Sequence, residues 1–270
     1  MPGTARAFHI ESPAGNLSAI YTRPPAGVAH IADMVFVHGF GHELYNARPV
    51  MAYVWRRLAQ SGAGVLAVDM PGCGDSAGDF GDARWPQWLD AIYRAHDWLQ
   101  QSSERPISVC GLRLGAALAL ESERRIDWNR LVLLQPVIRG KEMMTQFLRL
   151  RVAFSGLRGV PAERETTQSI RGAMASGSKL EVAGYALDPE LVQAIDEVDL
   201  STFRPRTNCP IRWLETTSME AAASVTAGWE AAVTVIHVDV KPYWTHTRGE
   251  APEYDTLVSA VCSVFGDSRA

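Results

Sequence analysis

The chain has 270 residues, 47% of them hydrophobic and 21% charged, enough to bury the core of one α/β domain with an insertion. A formal net charge of -4 with no extended basic cluster argues against a nucleic-acid partner, and no run of about 18 apolar residues is available to span a bilayer. Four cysteines without a C-x-x-C pair, and an amino terminus without an apolar signal core, set the expectation of a cytoplasmic protein.

In chain order, alternating apolar residues predict strands over 5–11 and 17–22, separated by the turn Ser12-Pro13-Ala14-Gly15. A buried strand over 32–37 runs into His38-Gly39-Phe40-Gly41-His42-Glu43, and helical spacing of Val50, Met51, Val54, Trp55 and Leu58 predicts a helix over 45–60. A strand over 64–69 leads into a second glycine loop, Asp69-Met70-Pro71-Gly72-Cys73-Gly74-Asp75-Ser76, followed by an amphipathic helix over 84–101. The run Ile107-Ser108-Val109-Cys110 is a strand that breaks at Gly111 into an alanine-rich helix over 112–124, and 131–134 is the next strand. From 139 to 205 the strand-helix rhythm lapses, apart from helices around Met143, Met144, Phe147 and Leu148 and over 189–196. It then resumes as strand 210–214, helix 218–231, strand 233–238 and helix 252–265. Strands alternating with helices predict a mostly parallel sheet covered on both faces, with function at the strands' carboxyl ends. A long insertion at 139–205 is expected to fold over that crevice as a cap, dividing the chain into a core of 1–138 and 206–270 and a lid of 139–205.

The chemistry concentrates at Gly111-Leu112-Arg113-Leu114-Gly115. This has the spacing of a G-x-S-x-G nucleophile elbow, whose sharp strand-to-helix turn lifts its central side chain out of the sheet. Here the central residue is Arg113. A guanidinium stays protonated and has no acceptor lone pair, so it cannot attack an acyl carbon. The loop of His38, Gly39 and Phe40, together with the N–H of Leu114, would supply oxyanion donors.

Four features in order are similar to the α/β-hydrolase superfamily: the His38-Gly39 loop, the Asp69 to Ser76 loop, the Gly111 to Gly115 elbow and the insertion. More narrowly, Gly111-Leu112-Arg113-Leu114-Gly115-Ala116, Gly184-Tyr185-Ala186-Leu187 with Ala194-Ile195-Asp196, and Pro242-Tyr243-Trp244 resemble the second type of exosortase A system-associated hydrolase. That resemblance implies an α/β-hydrolase fold with a helical cap, ester or thioester hydrolysis by family, and a bacterial exopolysaccharide setting. It places the triad's acid near Glu215 or Glu220. It places the histidine at His246, with Trp244 or Thr245 on or beside the same position.

Arg113 admits three roles. It could receive an anion together with Leu114 and the 38–42 loop, or pair with Glu215 or Glu220 as a buried ion pair. In the third, it stands aside while Cys73, or a water activated by His246, does the chemistry. His38, His42 and Glu43 lack the H-E-x-x-H spacing of a metal site, and the expectation is a protein without metal or nucleotide cofactor. The leading expectation is a hydrolase-family protein without the serine nucleophile that binds an acyl or anionic small molecule. The alternatives are an esterase, thioesterase or acyl-transfer enzyme with an unorthodox nucleophile, and a non-catalytic partner of an acyl carrier or another pathway protein.

Overall fold

The computed structural model describes residues 4–157, 165–206, 208–245 and 251–266. In chain order the elements are strands β1 (Thr4–Ile10), β2 (Leu17–Arg23) and β3 (Ala32–Val37), helix α1 (His42–Gln60), β4 (Ala63–Val68), α2 (Trp85–Ser102), β5 (Ile107–Leu112), α3 (Leu114–Ser122) and β6 (Leu131–Leu134). Then follow α4 (Gly140–Leu157), α5 (Thr167–Ala175), β7 (Leu180–Val182), β8 (Tyr185–Leu187), α6 (Pro189–Asp196), β9 (Ile211–Glu215), α7 (Met219–Thr226), β10 (Val233–His237) and α8 (Asp255–Gly266).

Eight strands form one sheet in the order β1-β2-β4-β3-β5-β6-β9-β10. The β1–β2 hairpin is antiparallel and β2 joins β4 antiparallel, whereas every pair from β4 to β10 is parallel. Successive side chains of a strand face opposite ways, and β3 shows what that means with both faces covered. Val35 and Val37 enter the core formed with α2 and α3, while Met34 and Phe36 enter the core formed with α1 and α8. All six residues of β3, β4 and β5 are buried, which explains why these strands read as continuous apolar runs rather than alternating ones.

The strand and helix order agrees with the sequence expectation, with shifts at the ends. Helix α1 starts at His42 rather than 45, directly after Gly41, whose φ of 55° turns the chain out of the loop. Between β6 and β9 the structure adds two things that the sequence reading lacked, the helix α5 and the hairpin β7–β8. The hairpin turns on Ala183 and Gly184, both at positive φ, as a two-residue turn matching the strands' twist requires. This segment packs on the loops at the strands' carboxyl ends. Tyr185 meets Phe80 at 5.0 Å and Phe147 meets Phe40 at 5.2 Å between ring centroids. Arg84 bonds both Asp188 and Glu190. Among the described residues no helix is long and apolar enough to cross a membrane.

Candidate functional site

Arg113 is the single residue between β5 and α3, with φ 56° and ψ -117°, a conformation that L-residues rarely hold without surrounding support. Two glycines make the turn sterically feasible. A Cβ on Gly111 would overlap the Gly115 carbonyl and Ala116, and one on Gly115 would overlap the carbonyls of Val37 and His38. The turn is pinned by the Arg113 N–H donating to Leu134 O at 2.9 Å, while Arg113 O accepts from Ala116 and Val137.

The guanidinium lies against three partners. Nε donates to Glu43 Oε1 at 3.0 Å, Nη1 donates to the Gln135 carbonyl at 3.3 Å, and the group sits 5.3 Å from the Trp244 ring centroid. The sequence expectation of a pair with Glu215 or Glu220 is therefore corrected: the partner is Glu43, on the other side of the crevice. Glu43 belongs to the first turn of α1 and is only 9% exposed. Its second oxygen accepts the Phe40 N–H at 3.3 Å. A Cβ on Gly39 would come within 2.9 Å of that oxygen, so Gly39 is what lets the carboxylate lie against the loop.

This arrangement fills the position where an oxyanion would be received. In α/β hydrolases the hole is made by an N–H of the β3–α1 loop and the N–H following the elbow residue, here Phe40 and Leu114. Phe40 already donates to a carboxylate. Leu114 is the first residue of α3, where helical geometry leaves its N–H without a partner inside the helix. His38, Gly39, Phe40 and Leu114 do come together, lining a cavity of about 10 Å³ with Met70, Cys73, Trp88 and Leu118.

The remaining sequence candidates disperse. His38 is a packing residue: it lies edge-on to Phe36, its Nε2 is 3.7 Å from Asp69, and burial lowers its pKa to about 4, Asp69 opposing and Arg48 adding to the shift. The Asp69 loop is held together by its own residues, through Asp75 N–H to Asp69 Oδ2 at 3.1 Å and Ser76 Oγ to Asp69 O at 2.6 Å. Cys73 faces the small cavity, but burial, reinforced by Asp69, pushes its thiol up to about 12, leaving almost no thiolate at neutral pH.

Glu215 ends β9 as a buried carboxylate. It accepts from Trp213 Nε1 at 3.1 Å and from the N–H and hydroxyl of Thr217. Burial alone would raise its pKa, and hydrogen bonds from Thr217, Trp213 and Gln135 overcome this to hold it below the ordinary value. Glu220 is exposed on α7. His246 lies outside the described residues.

Two contributors escaped the sequence reading. Gln135, at φ 43°, presents its carbonyl to Arg113, and its side chain binds Thr216 and Thr217, linking the elbow to the Glu215 turn. In the sequence pattern Glu43 stands out only as a candidate metal ligand. Its place in the first turn of α1, directly after a glycine loop facing the elbow, was the available signal.

A mostly parallel sheet with this strand order, a strained elbow after β5 and an oxyanion-type loop after β3 define an α/β hydrolase. The chain belongs to the family described as serine aminopeptidase, S33, whose model matches residues 29–215. No curated protein matches it in sequence. Among solved structures it is similar to Est1E from Butyrivibrio proteoclasticus with ferulic acid bound, with a TM-score of 0.70 at 19% identity over 97% of this chain and 98% of that one. It is also similar to a putative hydrolase from Agrobacterium vitis S4, with a TM-score of 0.63 at 15% identity over 97% and 99% of the two chains. XC6422 from Xanthomonas campestris, an α/β serine hydrolase without lid, gives a TM-score of 0.56 at 16% identity over 97% and 93%.

Proposed function

We propose that this α/β-hydrolase-family chain has given up serine-type acyl transfer and uses its elbow to bind an acyl or otherwise anionic small molecule, under a cap formed by residues 139–205. One observation supports this above the others: Arg113 stands at the elbow apex with a carboxylate already on its Nε and on the Phe40 N–H. Acyl transfer by an elbow serine needs both a nucleophile at that apex and an open pair of oxyanion donors. Arg113 takes away the first, and Glu43 occupies half of the second. A guanidinium beside backbone N–H groups is well suited to receive an anion. The motif resemblance favours a bacterial, exopolysaccharide- or exosortase-associated setting, and the cysteine pattern favours the cytoplasm.

The second reading, an esterase or thioesterase with an unorthodox nucleophile, has one observation in its favour. Cys73 lines the same cavity as Phe40 and Leu114. Its raised pKa weighs against it.

The deciding experiment is turnover of a panel of aryl and alkyl esters and acyl thioesters by the wild type, Arg113→Ala and Cys73→Ala. The expected result is hydrolysis no faster than buffer for all three. Wild-type turnover that collapses in Cys73→Ala or in Arg113→Ala would overturn the binding reading and identify the residue responsible.

A further inference from the structure

Resting on that reading, we infer that Glu43 is a tethered stand-in for the ligand's own head group. The site is then a carboxylate-exchange site, whose ligand is a monocarboxylate with an apolar body.

The two donors at the site are matched to one planar carboxylate. Arg113 Nε reaches one oxygen of Glu43 at 3.0 Å and Phe40 N reaches the other at 3.3 Å. The donors meet two different oxygens of Glu43, a spacing that the two equivalent oxygens of a carboxylate reproduce, whereas the single carbonyl oxygen of an ester or thioester cannot stand at both positions at once. A tetrahedral phosphate brings further oxygens into a place where even a Cβ on Gly39 would be within 2.9 Å of the carboxylate. The apolar body follows from the lining. Phe40, Met70, Trp88 and Leu118 surround the cavity, and a second charge among them would be buried without a partner. Aromatic rings continue outward from there: Phe147 lies 5.2 Å from Phe40, His42 stacks on Phe147 at 5.9 Å and Tyr185 lies 6.0 Å from it.

The cavity beside this pair, lined by Gly39, Phe40 and Leu114 but by neither Glu43 nor Arg113, holds about 10 Å³, which is no room for a ligand. Something must leave. Moving Glu43 is the step with the least net loss, because the arriving carboxylate takes over both of its contacts and Arg113 is never left unpaired. The side chains of Arg113 and Glu43 keep 19% and 11% exposure, so the pair already meets solvent on one side and a displaced Glu43 charge can turn that way. Held by its own backbone, Glu43 competes at a high effective concentration, and the ligand's apparent affinity is lowered by the fraction of sites that Glu43 fills.

Calorimetric titration with benzoate, and separately with inorganic phosphate, tests this in the wild type, Glu43→Gln and Arg113→Gln, each checked for folding by its thermal transition. A carboxamide turns its NH2 group toward one of the two donors, a donor facing a donor, so Glu43→Gln weakens the plug while keeping the side chain's volume. Benzoate is expected to bind Glu43→Gln at least about tenfold more tightly than the wild type. It is expected to shift the Phe40 amide resonance and to lose binding in Arg113→Gln, with phosphate weaker than benzoate throughout. Equal or weaker benzoate binding by Glu43→Gln, with binding still abolished in Arg113→Gln, would overturn the exchange and leave the anion-binding reading intact. Benzoate binding that persists in Arg113→Gln, or is absent from every folded variant, would overturn both. Phosphate binding tighter than benzoate would overturn the assigned ligand class. Should Glu43→Gln fail to fold, Glu43→Ala takes its place with the same outcomes.

Discussion

The two ends of the sheet each bury a carboxylate, and they handle it in opposite ways. At the amino ends of the strands, Asp33 of β3 is fully buried and is met by Tyr21 Oη at 2.7 Å, His30 Nε2 at 2.9 Å and Ser103 Oγ at 3.2 Å. Burial, with the Asp33 bond, holds the Tyr21 phenol far above its ordinary value. No residue of this cluster has positive φ. At the carboxyl ends, Glu43 is met by the Arg113 guanidinium, and Arg113 and its neighbour Gln135 are two of the three non-glycine residues with positive φ among the described residues. The first cluster fastens β2, β3 and the α2–β5 connection through short-range, unstrained bonds. The second gathers strained residues around an ion pair, and strain of that kind clusters at functional sites.

The sharpest way to break this comparison is Asp33→Ala. It removes a fully buried carboxylate from three half-buried partners and is expected to cost about 4 kcal/mol in urea denaturation; a loss below about 1 kcal/mol would show that the amino-end cluster does not fasten the fold. Next comes acid. His38 stays neutral in the folded chain down to about pH 4, while the unfolded chain protonates it near 6.5. Between those values the unfolded state binds the extra proton, so stability is full above pH 6.5 and falls as pH drops toward 4. The loss is on the order of 3 kcal/mol, and His38→Gln is expected to flatten that part of the pH-stability curve. An unchanged slope in the variant would mean that His38 does not set the acid response. The smallest effect is expected at the elbow itself. Arg113→Gly strips the counter-charge from the largely buried Glu43 but relieves the strained φ, and the net loss is expected to be about 2 kcal/mol, read by the same denaturation. A loss as large as that of Asp33→Ala would make the two ends alike and recast Arg113 as a fastening residue.

Much of the fold was legible because it depends on patterns within short stretches. The apolar runs of β3, β4 and β5, the glycine pair around Arg113 and the stop after Gln60 each state their own local geometry. The hairpin β7–β8 was missed because its strands are three residues each, too short for alternation to register. The site was less legible than the fold. Sequence position alone points to Glu215 and Glu220 as partners of Arg113, because a triad acid usually lies there. Glu43, 70 residues away in sequence, reaches Arg113 only because β3 and β5 are adjacent in the sheet.

By itself the sequence determined that a guanidinium stands at the apex of a strand-turn-helix. Gly111 and Gly115 permit that turn and the residue between them is fixed by the code. Only the tertiary structure decided what the guanidinium meets. Strand order sets which loops share the crevice, and the pairing of β5 with β3 on one side and β6 on the other puts Glu43 and Gln135 within reach of the same side chain. A charge needs a partner when it leaves water, but the chemistry of that need is the same for every carboxylate in the chain. Distance alone selects among them, and distance is a property of the folded sheet.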